Sequence, residues 1–212
     1  MTGFVFPHSV PSLPVVGRTE RYAVRRIWCV GSNYRKPGVD YTNRAPAYFF
    51  SKQPDMLVQD GGTMRYSAQA GELRFEIELV VAMGQGGIFG HAVGLDMTIR
   101  DLLLTAQASN KPWEIGKSFE DSAACGAITP GTEPMLKAAM RLTQNGETRQ
   151  DSDIDQMIWN VPEAIKALSR QVTLAPGDLI YTGTPAGHGP CRPGDRIAAD
   201  IAGLSPLSVT IA

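Results

Sequence analysis

Two glutamates two positions apart, Glu76 and Glu78, sit in an otherwise apolar, β-branched run, FEIELVVAM, at residues 75–83. Side chains at i and i+2 of a strand point the same way, so this spacing predicts Glu76, Glu78 and Val80 on one face and Phe75, Ile77, Leu79 and Val81 on the other, core-facing side. Two carboxylates a few ångströms apart in a low-dielectric setting cannot both stay ionised unless a cation lies between them. The alternative is an edge strand whose glutamate face is wet. A third acid, Asp96, ends the apolar stretch AVGLD 18 positions beyond Glu78. Three carboxylates at strand ends make a hard oxygen site suited to Mg²⁺, Mn²⁺ or Ca²⁺. No histidine or cysteine ligand accompanies them.

The surrounding pattern predicts the elements that hold these residues. Residues 1–25 read as an arm punctuated by Pro7, Pro11 and Pro14. IWCVGSNY is the first strand, AYFFSK a second, and Asp60-Gly61-Gly62 a polar turn. After FEIELVVAM, GQGGIFG reads as a turn and HAVGLD as another short strand. MTIRDLLLTAQAS, residues 97–109, carries a helical leucine run with Asp96 or Thr98 as its cap. AAMRLTQNGETRQ alternates on both sides of Asn145-Gly146, a strong hairpin signal. NVPEAIKALSR is a helix capped by Asn160, with Pro162 in its first turn. The remaining short strands are separated by Pro-Gly turns. About two helices, many strands and no βαβ alternation predict a β-rich α+β fold, a mixed β-sandwich or roll.

Bulk properties exclude several classes. A chain of 212 residues is most simply one domain with a sizeable core. A net charge of −1 offers neither a basic patch for nucleic acid nor an acidic tail. Cys29, Cys125 and Cys191 are far apart and form no CxxC or CxH arrangement, which suggests neither disulfides nor zinc and points to a reducing cytoplasm. Neither a signal pattern nor a membrane-length apolar run occurs.

Taken in order, NY after a VGS strand, FEIELVVAMG, GLDMTIRDL, GKSFEDSAACGAI, NGETRQ and PGDLIYTGTPAGHGP resemble the fumarylacetoacetate hydrolase family over about residues 25–212, most of all its small acylpyruvate-cleaving members. With residues 1–25 as the arm, the resemblance implies a 26–212 catalytic domain folded as a mixed β-sandwich roll, a homodimer, and one Mg²⁺ or Mn²⁺ per site, Ca²⁺ remaining open from the carboxylate set alone. It places Glu76, Glu78 and Asp96 at metal-ligand positions, Arg100 in a helix-start motif, Lys117 as a buried active-site lysine, and Thr184 in a substrate-binding loop. Tyr34 and Lys52 complete the expected substrate-binding set, Lys52 at the mouth. Without the resemblance, Lys117 would read as a surface lysine, Arg100 as a helix-face ion pair and Thr184 as a turn residue. The implied substrate is a small 2-oxo diacid that chelates the metal through its carboxylate and keto oxygens; no nucleic acid or membrane partner is implied.

One stretch departs from the family pattern. Where the hydrolases carry NYxxHAxE, with a His–Glu dyad that activates water, this chain has NYRKPGVD, with Pro37 in place of the histidine and Asp40 in place of the glutamate. Leu103 likewise replaces a family glutamine. Proline has no titratable group and restricts Lys36 away from helical angles. Of the three histidines, His8 reads as terminal, His91 as a sheet residue and His188 as a loop residue, with a substitute base as the lesser alternative for His91 or His188. Hydrolysis needs an activated water, whereas decarboxylation or keto–enol tautomerisation of an oxaloacetate-like acid needs only the metal and a proton donor. Three functions follow: an acylpyruvate carbon–carbon hydrolase, a 2-oxo acid decarboxylase or tautomerase, and a silent metal- and ligand-binding relative.

Overall fold

A computed structural model describes residues 5–7, 9–65 and 71–212; His8 lies outside the described residues. In chain order the strands are β1 (Ser12–Leu13), β2 (Tyr22–Ala23), β3 (Arg26–Val30), β4 (Phe49–Lys52), β5 (Leu57–Gln59), β6 (Thr63–Met64), β7 (Leu73–Arg74), β8 (Ile77–Gly84) and β9 (Gly87–Asp96). There follow β10 (Thr98–Ile99), β11 (Ala123–Cys125), β12 (Thr129–Pro130), β13 (Ala139–Gln144), β14 (Glu147–Asp153), β15 (Asp178–Tyr181), β16 (Arg196–Ile201) and β17 (Leu207–Ile211). The helices are α1 (Arg100–Ala108), α2 (Glu114–Lys117) and α3 (Val161–Leu168).

A mixed eight-stranded sheet runs β4-β3-β15-β8-β9-β11-β5, with β12 also on β9, and a five-stranded sheet runs β14-β13-β16-β17-β6. The expected mixed β-sandwich roll is what forms. Its main core lies between the sheets, where Ile77, Leu79 and Val81 from β8 meet Met140, Leu142, Ile197, Ala199, Leu207 and Val209. The glutamate face of β8 is not a wet edge. β8 is central, between β15 and β9, and Val80 and Ala82 enter a second cluster with Ile27, Cys29, Leu179 and Tyr181. A strand covered on both faces reads as a near-continuous apolar run. The same cluster takes Leu13, Val15, Tyr22 and Val24, so the expected arm is packed into the structure from β1 onward. Each such buried aliphatic or aromatic side chain contributes roughly 1.5–3 kcal/mol.

The hairpin forms as the sequence predicts: Asn145 and Gly146 turn at φ 55° and 86°, the left-handed pair that suits tightly twisted strands. α3 also forms as expected, with Asn160 Oδ1 accepting from the Glu163 backbone N–H at 3.1 Å and Glu163 reaching back to the Asn160 N–H. Three expectations are corrected. GQGGIFG is a turn only at Gln85 and Gly86, because β9 pairs with β8 from Gly87 onward and HAVGLD is the end of one ten-residue strand. The helix expected over 97–109 starts at Arg100, since Thr98 and Ile99 pair with Arg74 and Leu73. Its N-cap is Ile99, without a side-chain cap; Asp96 and Thr98 are both committed to Lys117 instead.

Candidate active site

The hairpin register of β8 and β9 assembles the acids. Glu78 lies opposite Gly94, and the Asp96 N–H donates to the Glu76 carbonyl at 2.9 Å, so the start of one strand meets the end of the other. Alternation then turns Glu76, Glu78 and Asp96 to the same side. One oxygen from each lies within 4.8 Å of the others.

Two lysines neutralise this corner. Lys117, at the end of α2, donates to Glu76 Oε2 at 2.8 Å, Asp96 Oδ2 at 2.8 Å and Thr98 Oγ1 at 2.7 Å. Gly116 lets α2 come this close: a Cβ there would meet the Leu103 backbone nitrogen of α1 at 2.6 Å. Lys52 was expected at the mouth, as a substrate-binding residue, but it is only 2% exposed, behind Asp96. Its Nζ lies 2.9 Å from Asp96 Oδ1 and donates to the carbonyls of Met97 and Lys117. Burial alone would raise the Asp96 pKa, but Lys117 and Lys52 outweigh it and hold Asp96 ionised. Burial opposes the Lys117 charge too, and Asp96 and Glu76 overcome it. Glu78 feels Lys117 only at a distance; burial, then Asp96 and Glu76, outweigh it and push the Glu78 pKa well above the ordinary carboxylate range.

A loop after β15 closes the other side. Gly183 sits at φ 94° with Asn33 pressed against it, and its backbone N–H donates to Glu78 Oε2 at 2.8 Å. A side chain there would clash, since a Cβ would lie 2.7 Å from Asn33 Cβ. Gln150, on β14, accepts from the Ile77 N–H at 3.1 Å and donates to Thr184 Oγ1 and the Pro185 carbonyl, both at 2.9 Å. Thr184 thus accepts through its oxygen and keeps its own hydroxyl proton for the cleft. Sequence reasoning missed Gln150. It ends the hairpin segment NGETRQ, and its only signal is a large amide on an inward-facing strand position.

These groups open into a cleft of about 440 Å³ with aromatic walls from Tyr48, Phe50 and Trp113. Pro37 and Leu103 line it where the dyad histidine and the glutamine were expected. Asp40 takes no part: it is exposed, and its Oδ1 accepts from the Thr42 N–H at 2.8 Å. Tyr34, expected to bind substrate, lines the cleft, but its hydroxyl is spent on Met140 Sδ at 3.1 Å. Arg100 starts α1 outside the cleft lining, its backbone N–H bonded to the Glu72 carbonyl at 2.9 Å. His188 does line the cleft. His91 does not: it is buried on β9 with Nε2 unpartnered.

The donor set fits a hard divalent cation. Three carboxylates converge, a protonated amine already bridges two of them, and Asp96 Oδ1 has no directed hydrogen bond although Lys52 Nζ stands close by.

Comparison with known proteins agrees with this geometry. The model of the fumarylacetoacetate (FAA) hydrolase C-terminal family matches residues 26–212. A fumarylpyruvate hydrolase from a Ralstonia species is 41% identical over 177 residues, covering 78% of this chain and 92% of that protein. A mitochondrial oxaloacetate tautomerase of Arabidopsis thaliana is 34% identical over 207 residues, covering 88% and 90%. The crystal structure of Pseudomonas aeruginosa fumarylpyruvate hydrolase, in complex with Mn²⁺ and pyruvate, superposes with a TM-score of 0.92 at 41% identity over 99% of both chains. Because the match spans both sheets, the carboxylate corner and the loop after β15, the chain belongs to the fumarylacetoacetate hydrolase family.

Proposed function

We propose that the protein is a divalent-metal-dependent hydrolase that splits an acylpyruvate such as fumarylpyruvate into a carboxylic acid and pyruvate. The observation that carries this reading is the cage of Glu76, Glu78 and Asp96 with Lys117 beside it, open to a cleft of about 440 Å³. The similarity to a fumarylpyruvate hydrolase seen with Mn²⁺ and pyruvate supports the substrate class. A Mg²⁺ or Mn²⁺ ion held by the three carboxylates supplies Lewis acidity and a chelation point for the 2-oxo acid. With all three acids ionised, the two lysines leave the corner short by one positive charge; a divalent cation reverses that sign and matches the substrate's carboxylate.

The chain's own groups do the rest. Water adds its oxygen to the acyl carbonyl, the carbon–carbon bond breaks with its electron pair passing to the pyruvate fragment as an enolate, and the proton given up by the water ends on that fragment's methyl carbon. Lys117 Nζ is placed to balance that developing charge. Thr184, held by Gln150, donates to a substrate oxygen, and the aromatic walls keep bulk water from the reacting carbons. Arg100 contributes through its charge, which is felt at His188. The expected homodimer and cytoplasmic setting belong to the same proposal.

A second reading is favoured by one feature: Pro37 stands in the cleft where a water-activating histidine was expected, and Asp40 is turned to Thr42. Tautomerisation or decarboxylation of an oxaloacetate-like acid uses the same cage without that base. Incubating the Mn²⁺-loaded protein with fumarylpyruvate separates the readings. Loss of the enol absorbance with equimolar fumarate and pyruvate supports hydrolysis. Turnover of oxaloacetate alone supports the second reading, and metal binding without either turnover identifies a silent relative.

A further inference from the structure

His188 lines the cleft but takes no part in the reaction above, and its surroundings assign it a different task from that of a base. The ring is carried between two glycines packed against neighbouring chain: a Cβ on Gly187, at φ 100°, would lie 2.3 Å from the Arg149 carbonyl oxygen, and one on Gly189 would lie 3.1 Å from Arg149 Nη2. The imidazole Nδ1 faces Arg74 Nη1 at 3.4 Å, while Arg74 Nε is held by Glu72 Oε1 at 2.5 Å. A guanidinium has only donors. The facing Nδ1 is therefore the acceptor, and the proton of the neutral ring is on Nε2. A ring in that form cannot take a proton from water through its free nitrogen; it can only give a hydrogen bond. Arg74, Arg100 and Lys117 all place positive charge near the ring, opposed by Glu76. A neutral donor backed by three cations favours an anionic oxygen over a carbonyl.

We propose that His188, oriented by Arg74, is the specificity-determining residue for the acyl end of the substrate and binds its distal carboxylate through Nε2–H. This rests on the acylpyruvate reading, and it selects among acylpyruvates those with an acid at the far end, such as fumarylpyruvate over acetylpyruvate. Arg74 acts through His188 as a positioning residue.

The test compares fumarylpyruvate with acetylpyruvate for the Mn²⁺-loaded wild type, His188→Phe and His188→Gln. One charge-assisted hydrogen bond lost corresponds to roughly a 10- to 100-fold change. The expected result is that His188→Phe lowers the fumarylpyruvate-to-acetylpyruvate ratio of kcat/KM by that factor, mostly through KM. His188→Gln, which keeps an amide donor, restores part of it. Equal losses on both substrates would overturn the assignment. A wild type that turns over neither would defeat the hydrolase reading instead, and binding then decides the role of His188. Fumarate is expected to bind the wild type at least ~10-fold more tightly than His188→Phe, with crotonate, which lacks the second carboxylate, showing no such difference. Equal fumarate binding by both proteins would overturn the proposal. In Arg74→Met, imidazole ¹⁵N shifts are expected to move away from the Nε2–H tautomer; unchanged shifts would remove Arg74 from the account.

Discussion

At the scale of single residues, the site is a balance of buried charge. Glu76→Gln removes one oxygen anion from the cage and is expected to weaken Mn²⁺ binding by about 100-fold or more, read by titration calorimetry. Retained affinity would move the metal elsewhere. Lys117→Met is expected to keep Mn²⁺ while lowering turnover about 10²- to 10³-fold, because the charge on the leaving fragment loses its cationic neighbour. Lys52→Met leaves Asp96 buried with one counter-charge fewer, and its expected cost is about 3–5 kcal/mol in urea unfolding. The acids were legible in the sequence because a period of two is a local rule. Lys52 was not: its place behind Asp96 depends on β4 lying against β3 and on where the 97 and 117 carbonyls end up, contacts 45 and 65 residues away.

At the scale of elements, the turns and caps were legible and the strand ends were not. Asn145-Gly146 and the Asn160 capping box are written in adjacent residues, so the hairpin and α3 could be read directly. Asn160→Ala is expected to cost about 1 kcal/mol in the same unfolding measurement. β9 is longer than its sequence suggests because Gly87 to Gly90 gain their ladder bonds from β8, and α1 starts late because β10 pairs with β7 first. Gln150 shows how one element positions another: it joins the start of β8 to the loop carrying Thr184. Gln150→Leu leaves the Ile77 N–H buried without a partner, an expected loss of about 1–3 kcal/mol, and frees the loop, so KM should rise more than kcat falls. A rise in neither would show the loop to be held by other contacts.

At the scale of the whole molecule, two cores lie on the two faces of one sheet, and the site occupies a corner where the second core gives way to charge. His91 is sealed on β9, and burial lowers its pKa from 6.5 to about 4. The folded state therefore holds this proton less tightly than the unfolded chain. Its contribution is intact above pH 6.5 and lost progressively as the pH falls toward 4, by roughly 3 kcal/mol in all. His91→Leu is expected to flatten that part of the stability curve between pH 7.5 and 4.5; an unchanged slope would assign the acid loss to other groups. The family and its fold were legible from ordered motifs along the chain, whereas the loop carrying Pro37 departs from the pattern where the chemistry divides. The most direct test of carbon–carbon hydrolysis at this centre is therefore turnover of fumarylpyruvate by the Mn²⁺-loaded protein in H₂¹⁸O. Hydrolysis is expected to place solvent ¹⁸O in the new carboxylate of fumarate, with Glu76→Gln abolishing the product. Absence of labelled fumarate, with oxaloacetate still consumed, would contradict it.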